Sequence, residues 1–330
     1  MARADLLLDL VRAGAEGDQE LFRRVVEALI AEERAKNHQV LAERLLTYLD
    51  SKSSPGRYRA SLAEASVDRA AVASVHPRRS LDSLVIPAIV RQACDELVEE
   101  QNRADLLRAN GVEPRNRVLV TGPPGNGKTT LAEALAFALA VPLFVVRYES
   151  IIGSYLGETA ARLAKLFALI RTERCVLFFD EFDVLGKERG DLHETGEIKR
   201  VVSSLLLQVD QLPPYVVAVA ATNHSELLDR AVWRRFQLRL ELPAPTMGRR
   251  VDWLQAFERR SGLRFGYSLE RMAKELGTVS FAELEQFATD VQRRYVLALP
   301  EGDMRSIVAS RLKQWSARVE PPNRRRDGHA

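Results

Sequence analysis

Gly122-Pro-Pro-Gly-Asn-Gly-Lys-Thr129 is the stretch that decides the fold. It satisfies G-x4-G-K-[ST], the pattern of a loop that wraps phosphate. Val118–Val120 in front of it is short and apolar and reads as a strand; Lys128–Ala140 behind it reads as a helix. The glycines let the backbone curl until several amide N–H groups face one point, which is also the positive end of the helix dipole. Gly122, Pro123, Pro124, Gly125, Asn126, Gly127, Lys128, Thr129 and Thr130 are therefore the expected nucleotide-binding residues. Lys128 is expected to reach the β- and γ-phosphates, and Thr129 to offer its hydroxyl to Mg2+.

Further short apolar runs follow at Leu143–Val146, Val176–Phe179, Val216–Ala220 and Leu238–Leu242, with amphipathic stretches between them. Runs without polar alternation are strands buried on both faces, and their spacing predicts a parallel sheet of five strands flanked by helices. Leu163, Leu166, Phe167 and Ile170 recur at helical spacing between the second and third runs, giving a helix over Thr159–Arg171. Past Pro243 and Pro245 the pattern is helical to about Trp315. Upstream, apolar residues share helical faces within residues 1–50. Residues 51–80 open on the turn-rich Ser51-Lys-Ser-Ser-Pro-Gly56 and read as a linker, and residues 319–330 as a basic tail.

The run Val176-Leu-Phe-Phe-Asp-Glu181 ends in two carboxylates at the edge of the sheet where open α/β folds bind ligands. Asp180 is expected to hold Mg2+ and Glu181 to orient or deprotonate an attacking water, since magnesium takes oxygen ligands and water needs an acceptor within reach. Asp183 is read as a surface acid.

The 330 residues carry a net charge of +3, too small an excess to argue for nucleic acid. Cys94 and Cys175 form no disulfide framework, which fits a cytoplasmic protein, and the five histidines lack metal-ligand spacing. Charges interrupt the apolar stretches before any of them reaches the length of a signal core or a membrane span.

Taken together the motifs resemble those of AAA ATPases, over about residues 81–315. The resemblance implies a P-loop NTPase domain over 81–244 and a small all-helical lid over 245–318, following a short helical N-terminal segment that docks a substrate or partner. Ala220-Ala-Thr-Asn223 resembles the sensor-1 strand, which implies that Asn223 contacts the γ-phosphate or the attacking water. Leu228-Asp-Arg-Ala-Val-Trp-Arg-Arg-Phe236 resembles the second region of homology, whose arginine fingers reach into a neighbour's ATP site. The family separates its two arginines by Pro-Gly. Here Arg234 and Arg235 are adjacent, which leaves open which of them is the finger. Thr278-Val-Ser-Phe-Ala-Glu-Leu284 falls where the lid approaches the adenine, and Arg271 and Lys274 lack the Gly-x-Arg context of a sensor-2 arginine.

Ser150-Ile-Ile-Gly-Ser-Tyr-Leu-Gly-Glu158 resembles the family's pore loop, with Tyr155, Leu156 and Gly157 lining a central channel. A flat aromatic there grips an extended polypeptide without reading its sequence. The resemblance thus implies an ATP- and Mg2+-dependent ring, a hexamer in the family, that translocates or remodels a polypeptide. Two other readings stand beside it: an ATP-driven switch that controls a separate partner such as a protease or defence effector, and a DNA-directed AAA protein. The near-neutral charge and the pore-type Tyr-Leu-Gly count against the last.

Overall fold

The computed structural model describes residues 25–30, 72–147, 156–183 and 204–318. The chain forms two compact units, residues 1–69 and 70–330. Within the first, residues 25–30 are helical, with Val25, Val26, Leu29 and Ile30 buried, the spacing of one helix face. The remainder of the expected N-terminal helices, the greater part of the expected linker and the basic tail lie outside the described residues.

The second unit is built on a sheet of six strands: β1 (Val72–Val75), β2 (Arg117–Thr121), β3 (Leu143–Val146), β4 (Cys175–Phe179), β5 (Val216–Thr222) and β6 (Leu238–Glu241). Their order is β1-β3-β4-β5-β2-β6. All neighbours run parallel except β1, which pairs antiparallel with β3 in the register Val72↔Val146 to Val75↔Leu143.

Five of these strands are the apolar runs of the sequence. The sixth corrects the five-stranded expectation, because Val72-Ala-Ser-Val75 lies within the stretch expected to be linker. Its residues are half-buried or exposed, so no continuous apolar run marks it. The exposed edge of β3 supplies the hydrogen bonds that make it a strand, and such tertiary pairing is invisible to local pattern.

Each central strand feeds two cores, because successive side chains point to opposite faces. Leu177 and Phe179 of β4 join Leu163, Phe167 and Ile170 of α4 on one side. Val176 and Phe178 join Leu131 and Leu135 of α3, with Cys94 and Leu97 of α1, on the other. These helices span Ala88–Asn102 (α1), Lys128–Ala138 (α3) and Leu156–Ile170 (α4); the short α2 is Ala104–Ala109 and α5 is Arg230–Arg235. Arg103, at φ −112° and ψ 29°, separates α1 from α2. Cys175 is fully buried.

Four helices close the chain: α6 (Met247–Ser261), α7 (Leu269–Glu275), α8 (Phe281–Leu297) and α9 (Met304–Ser316). They enclose a core of their own, including Leu254, Phe257, Met272, Leu284, Phe287, Val291 and Val308. Ser280 caps α8 in a reciprocal box with Glu283, so the start of α8 is fixed by its own sequence. Among the described residues no helix is long and apolar enough to cross a membrane.

Candidate nucleotide site

Three parallel strands end side by side, and the loops that leave them meet. The loop after β2 shows why glycine is needed. At Gly122, with φ +143°, a Cβ would lie 2.1 Å from the Leu242 carbonyl oxygen. At Gly125, with φ +76°, it would lie 2.9 Å from Ser280 Oγ and 3.1 Å from Ala282 Cβ. Gly127 takes the left-handed conformation that starts α3, so the first turn of that helix points its free N–H groups at the loop's concave side.

Lys128, the first residue of α3, is 6% exposed. Its Nζ donates to Gly122 O at 2.7 Å, Pro123 O at 2.9 Å and Asn223 Oδ1 at 2.6 Å. Burial lowers its pKa, against the opposing pull of the Asp180 and Asp183 carboxylates. Thr129 Oγ1 donates to Asp180 Oδ2 at 3.1 Å, tying the start of α3 to the end of β4.

The turn after β4 is strained in a specific way. Glu181 has φ +48°, a left-handed value unusual for a residue with a side chain. Phe182 holds it there. Its N–H donates to Ala221 O at 2.8 Å, and its fully buried ring packs edge-on against Phe179 and Phe236, with centroids 6.0 and 5.9 Å apart. With Phe182 anchored inward, Glu181 stays on the exposed side and lines the cavity. Asp183, expected on the surface, is 7% exposed and accepts a hydrogen bond from Thr222 Oγ1 at 2.7 Å. A buried partner from the neighbouring strand overrides the usual solvation of a carboxylate.

The cavity so formed holds about 470 Å³, within the range of small-molecule sites. Pro124 to Thr130, Asp180, Glu181 and Asn223 line one part of it. Ser83 to Ile86, before α1, and Trp253, Arg260, Phe281 and Glu285 of α6 and α8 line the rest. The C-terminal helices are fastened to the loop directly, since Ala282 N donates to Gly125 O at 2.9 Å. Arg260 stacks over both Trp253 and Phe257 at 4.9 Å and pairs with Glu285. Sequence reasoning missed Arg79, Trp253, Arg260 and Glu285, which belong to no motif. The one available signal is the aromatic and charged face of α6.

Two observations test whether a nucleotide with its metal fits here. Asn126 is 3% exposed, yet neither polar atom of its side chain has a partner, and buried amides are otherwise satisfied. A polar group entering the loop would complete it. Thr129 and Asp180 present a hydroxyl and a carboxylate together, the oxygen set that magnesium shares with phosphate and water. Among the described residues no group of three or more His, Cys, Asp or Glu side chains is placed to hold a metal, so these two would depend on phosphate and water for the remaining ligands. The residues fit.

The two arginines of α5 differ. Arg235 Nε pairs with Asp210 Oδ2 at 2.9 Å, its Nη1 donates to Ala231 O at 3.0 Å, and Asp210 also holds Arg117 at 2.8 Å. Arg234 is exposed, and no hydrogen bond or ion pair engages it among the described residues. Neither arginine lines the cavity of its own chain. Of the expected pore-loop residues, Tyr155 lies outside the described residues. Leu156 and Gly157 form the start of α4, which begins three residues before the expected Thr159. The apolar stripe from Leu163 to Ile170 anchors that helix, and one glycine costs only about 1 kcal/mol within it.

The sequence model of the ATPase family associated with various cellular activities (AAA) matches residues 118–244. The chain is 36% identical over 304 residues to an uncharacterized AAA family ATPase, y4kL, of Sinorhizobium fredii, covering 90% of both chains. It is 33% identical over 212 residues to the ATP-dependent zinc metalloprotease FtsH 3 of Sphaerobacter thermophilus, covering 63% of this chain and 43% of that protein. To the proteasome-activating nucleotidase of Aeropyrum pernix it is 32% identical over 203 residues, covering 59% of this chain and 50% of that one.

Proposed function

The chain belongs to the AAA family of ATPases and hydrolyses ATP, and from that premise we propose that it works as a ring, a hexamer by family likeness, that pulls on or remodels a polypeptide. The observation that carries this reading is the closure of three strand ends on one cavity that neither Arg234 nor Arg235 of the same chain lines. Lys128–Asn223 and Thr129–Asp180 hold the phosphate end together, while Arg234 stands exposed and, among the described residues, unengaged.

In the proposed mechanism the loop from Gly122 to Thr130 cradles the phosphates. Lys128 exchanges its carbonyl acceptors for phosphate oxygens. Thr129 and Asp180 hold Mg2+, which when bound neutralises charge on the phosphates. Glu181 accepts a proton from the attacking water, or orients it, from a turn that Phe182 prevents from relaxing. Asn223 steers the water or the γ-phosphate. Arg234 of the adjacent copy completes the site, since a permanent, forked cation matches phosphate oxygens. Arg235 serves by holding α5 against Asp210. The helices from 245 to 318 act as a lid, a role supported by their separate core and by the Ala282–Gly125 bond.

The polypeptide substrate is supported by Tyr155-Leu-Gly157 next to α4 and by relatives named as a metalloprotease and a proteasome-activating nucleotidase. The chain spans about half or less of those two relatives, so their further domains carry no implication for it. Two buried, unpaired cysteines are consistent with a cytoplasmic setting. The N-terminal unit is proposed to dock the substrate or a partner.

The test is the ATPase rate per subunit against protein concentration, with particle mass, for wild type and Glu181→Gln. Shared sites give a rate that rises as subunits assemble. Glu181→Gln should retain nucleotide and assembly but lose hydrolysis. A rate independent of concentration, on particles that stay monomeric at saturating ATP, would reject the ring.

A further inference from the structure

Among the described residues Asp183 is the one buried carboxylate, and the roles assigned so far leave it without a task. A carboxylate removed from water is costly unless hydrogen-bonded, so its partner is informative. That partner is the fully buried Thr222, last residue of β5, whose Oγ1 donates to Asp183 Oδ1 at 2.7 Å. A hydroxyl has one proton to give. With it committed to Asp183, the oxygen's lone pairs are directed elsewhere, and one accepts the His224 N–H at 2.9 Å. Thr222 and His224 are the residues on either side of Asn223. The two bonds therefore clamp the backbone around Asn223, whose Oδ1 meets Lys128 Nζ at 2.6 Å. The Phe182–Ala221 bond at 2.8 Å closes the same corner between the ends of β4 and β5.

We propose that Asp183 is a positioning residue for ATP hydrolysis: it fixes the Thr222 hydroxyl, which holds the turn that aims Asn223 at the phosphate end of the cavity. The inference rests on the reading of Asn223 given above. Asp183 does not line the cavity, and its hydrogen bond leads to Asn223 through Thr222, so it acts on the reaction mainly by way of Asn223. An ionised acceptor suits this task because a hydrogen bond to a charged group is shorter and stronger than one to a neutral group.

The experiment compares Asp183→Ala, Asp183→Asn, Thr222→Val, Asn223→Ala and the double variant Asp183→Ala/Asn223→Ala in the full chain. It measures kcat, KM, the Kd of a fluorescent ATP analogue, melting temperature, and hydrogen exchange over residues 221–226. Asp183→Ala and Thr222→Val should lower kcat roughly ten- to a hundredfold, the effect of losing a hydrogen bond to a buried charge. The Kd should stay within about threefold, because the phosphate loop itself is intact. Asp183→Asn keeps an acceptor oxygen and should recover most of the rate. Exchange at His224 should quicken in Asp183→Ala, and the double variant should be no slower than Asn223→Ala.

Unchanged kcat in both Asp183→Ala and Thr222→Val, or rate losses that multiply in the double variant, overturns the inference while leaving the reading of Asn223 intact. If Asn223→Ala alone hydrolyses ATP at the wild-type rate, that reading falls and the inference with it. Should Asp183→Ala melt too low to assay, Thr222→Val and Asp183→Asn decide the matter alone.

Discussion

Replacing each arginine of α5 in turn separates a group offered to a neighbour from one that serves its own chain. Arg234 is exposed and unengaged among the described residues, so Arg234→Ala should change stability by no more than about 0.5 kcal/mol, as for an ordinary surface site. Its catalytic effect should be large. An arginine that completes a phosphate-transfer site is worth roughly a thousandfold or more in rate, which is about 4 kcal/mol of barrier. Arg235→Ala should behave in the opposite way. It removes one of two ion pairs that converge on Asp210, each side chain being a quarter to a third exposed, together with a bond to Ala231 O. Partly exposed pairs are worth about 0.2–1 kcal/mol each, and Asp210 keeps Arg117. The expected loss is therefore about 1 kcal/mol, or roughly 2–4 °C in melting temperature for a unit of this size, with most of the ATPase rate retained.

Mixing distinguishes a donated arginine from a merely local one. Arg234→Ala subunits keep Glu181 but lack the arginine, and Glu181→Gln subunits keep the arginine but lack the base. Each should be inactive alone. In a random ring assembled from equal parts, about a quarter of the sites pair an intact Glu181 with an intact neighbouring Arg234, so about a quarter of the wild-type rate should return. The assay is steady-state ATP hydrolysis on co-assembled subunits, with calorimetry on each variant. A mixture as inactive as its components would refute donation between subunits. A large rate loss confined to Arg235→Ala would refute the division of roles drawn from Asp210.

Gly125→Ala places a methyl group 2.9 Å from Ser280 Oγ at a positive φ, so it should weaken the Ala282–Gly125 bond and lower nucleotide affinity at least tenfold, read by titration with a fluorescent ATP analogue. Glu283 gives a pH signature. Burial would raise its pKa, but hydrogen bonds from the Ser280 N–H and hydroxyl and from Arg318 together lower it. A depressed carboxylate pKa means that the unfolded chain binds more protons in the intervening window. The stabilisation is therefore complete above the unfolded pKa and is lost as pH falls through the folded one. Melting temperatures recorded from about pH 6 to pH 3 should fall less steeply for Glu283→Gln than for wild type.

What the sequence made legible has a common physical character. The phosphate loop and the apolar strand ending in Asp180-Glu181 each carry their geometry within a few neighbouring residues. Glycine fixes the first and an unbroken apolar run the second, so no distant contact is needed to recognise them. The illegible parts are those decided from afar. β1 exists because β3 offers an edge. Asp183 reads as a surface acid and Arg235 as one of two candidate fingers, and each is engaged by a partner distant in sequence, Thr222 at a separation of 39 residues and Asp210 at 25. The wall formed by Trp253, Arg260 and Glu285 arises only when α6 and α8 pack beside the loop. A charged residue's fate is set by whichever opposite group the fold brings to it, since solvation and pairing lie within a few kcal/mol of one another. Adjacent arginines with identical local context can therefore part company. Arg235 is held by Asp210 of its own chain, and Arg234 is exposed and unengaged among the described residues.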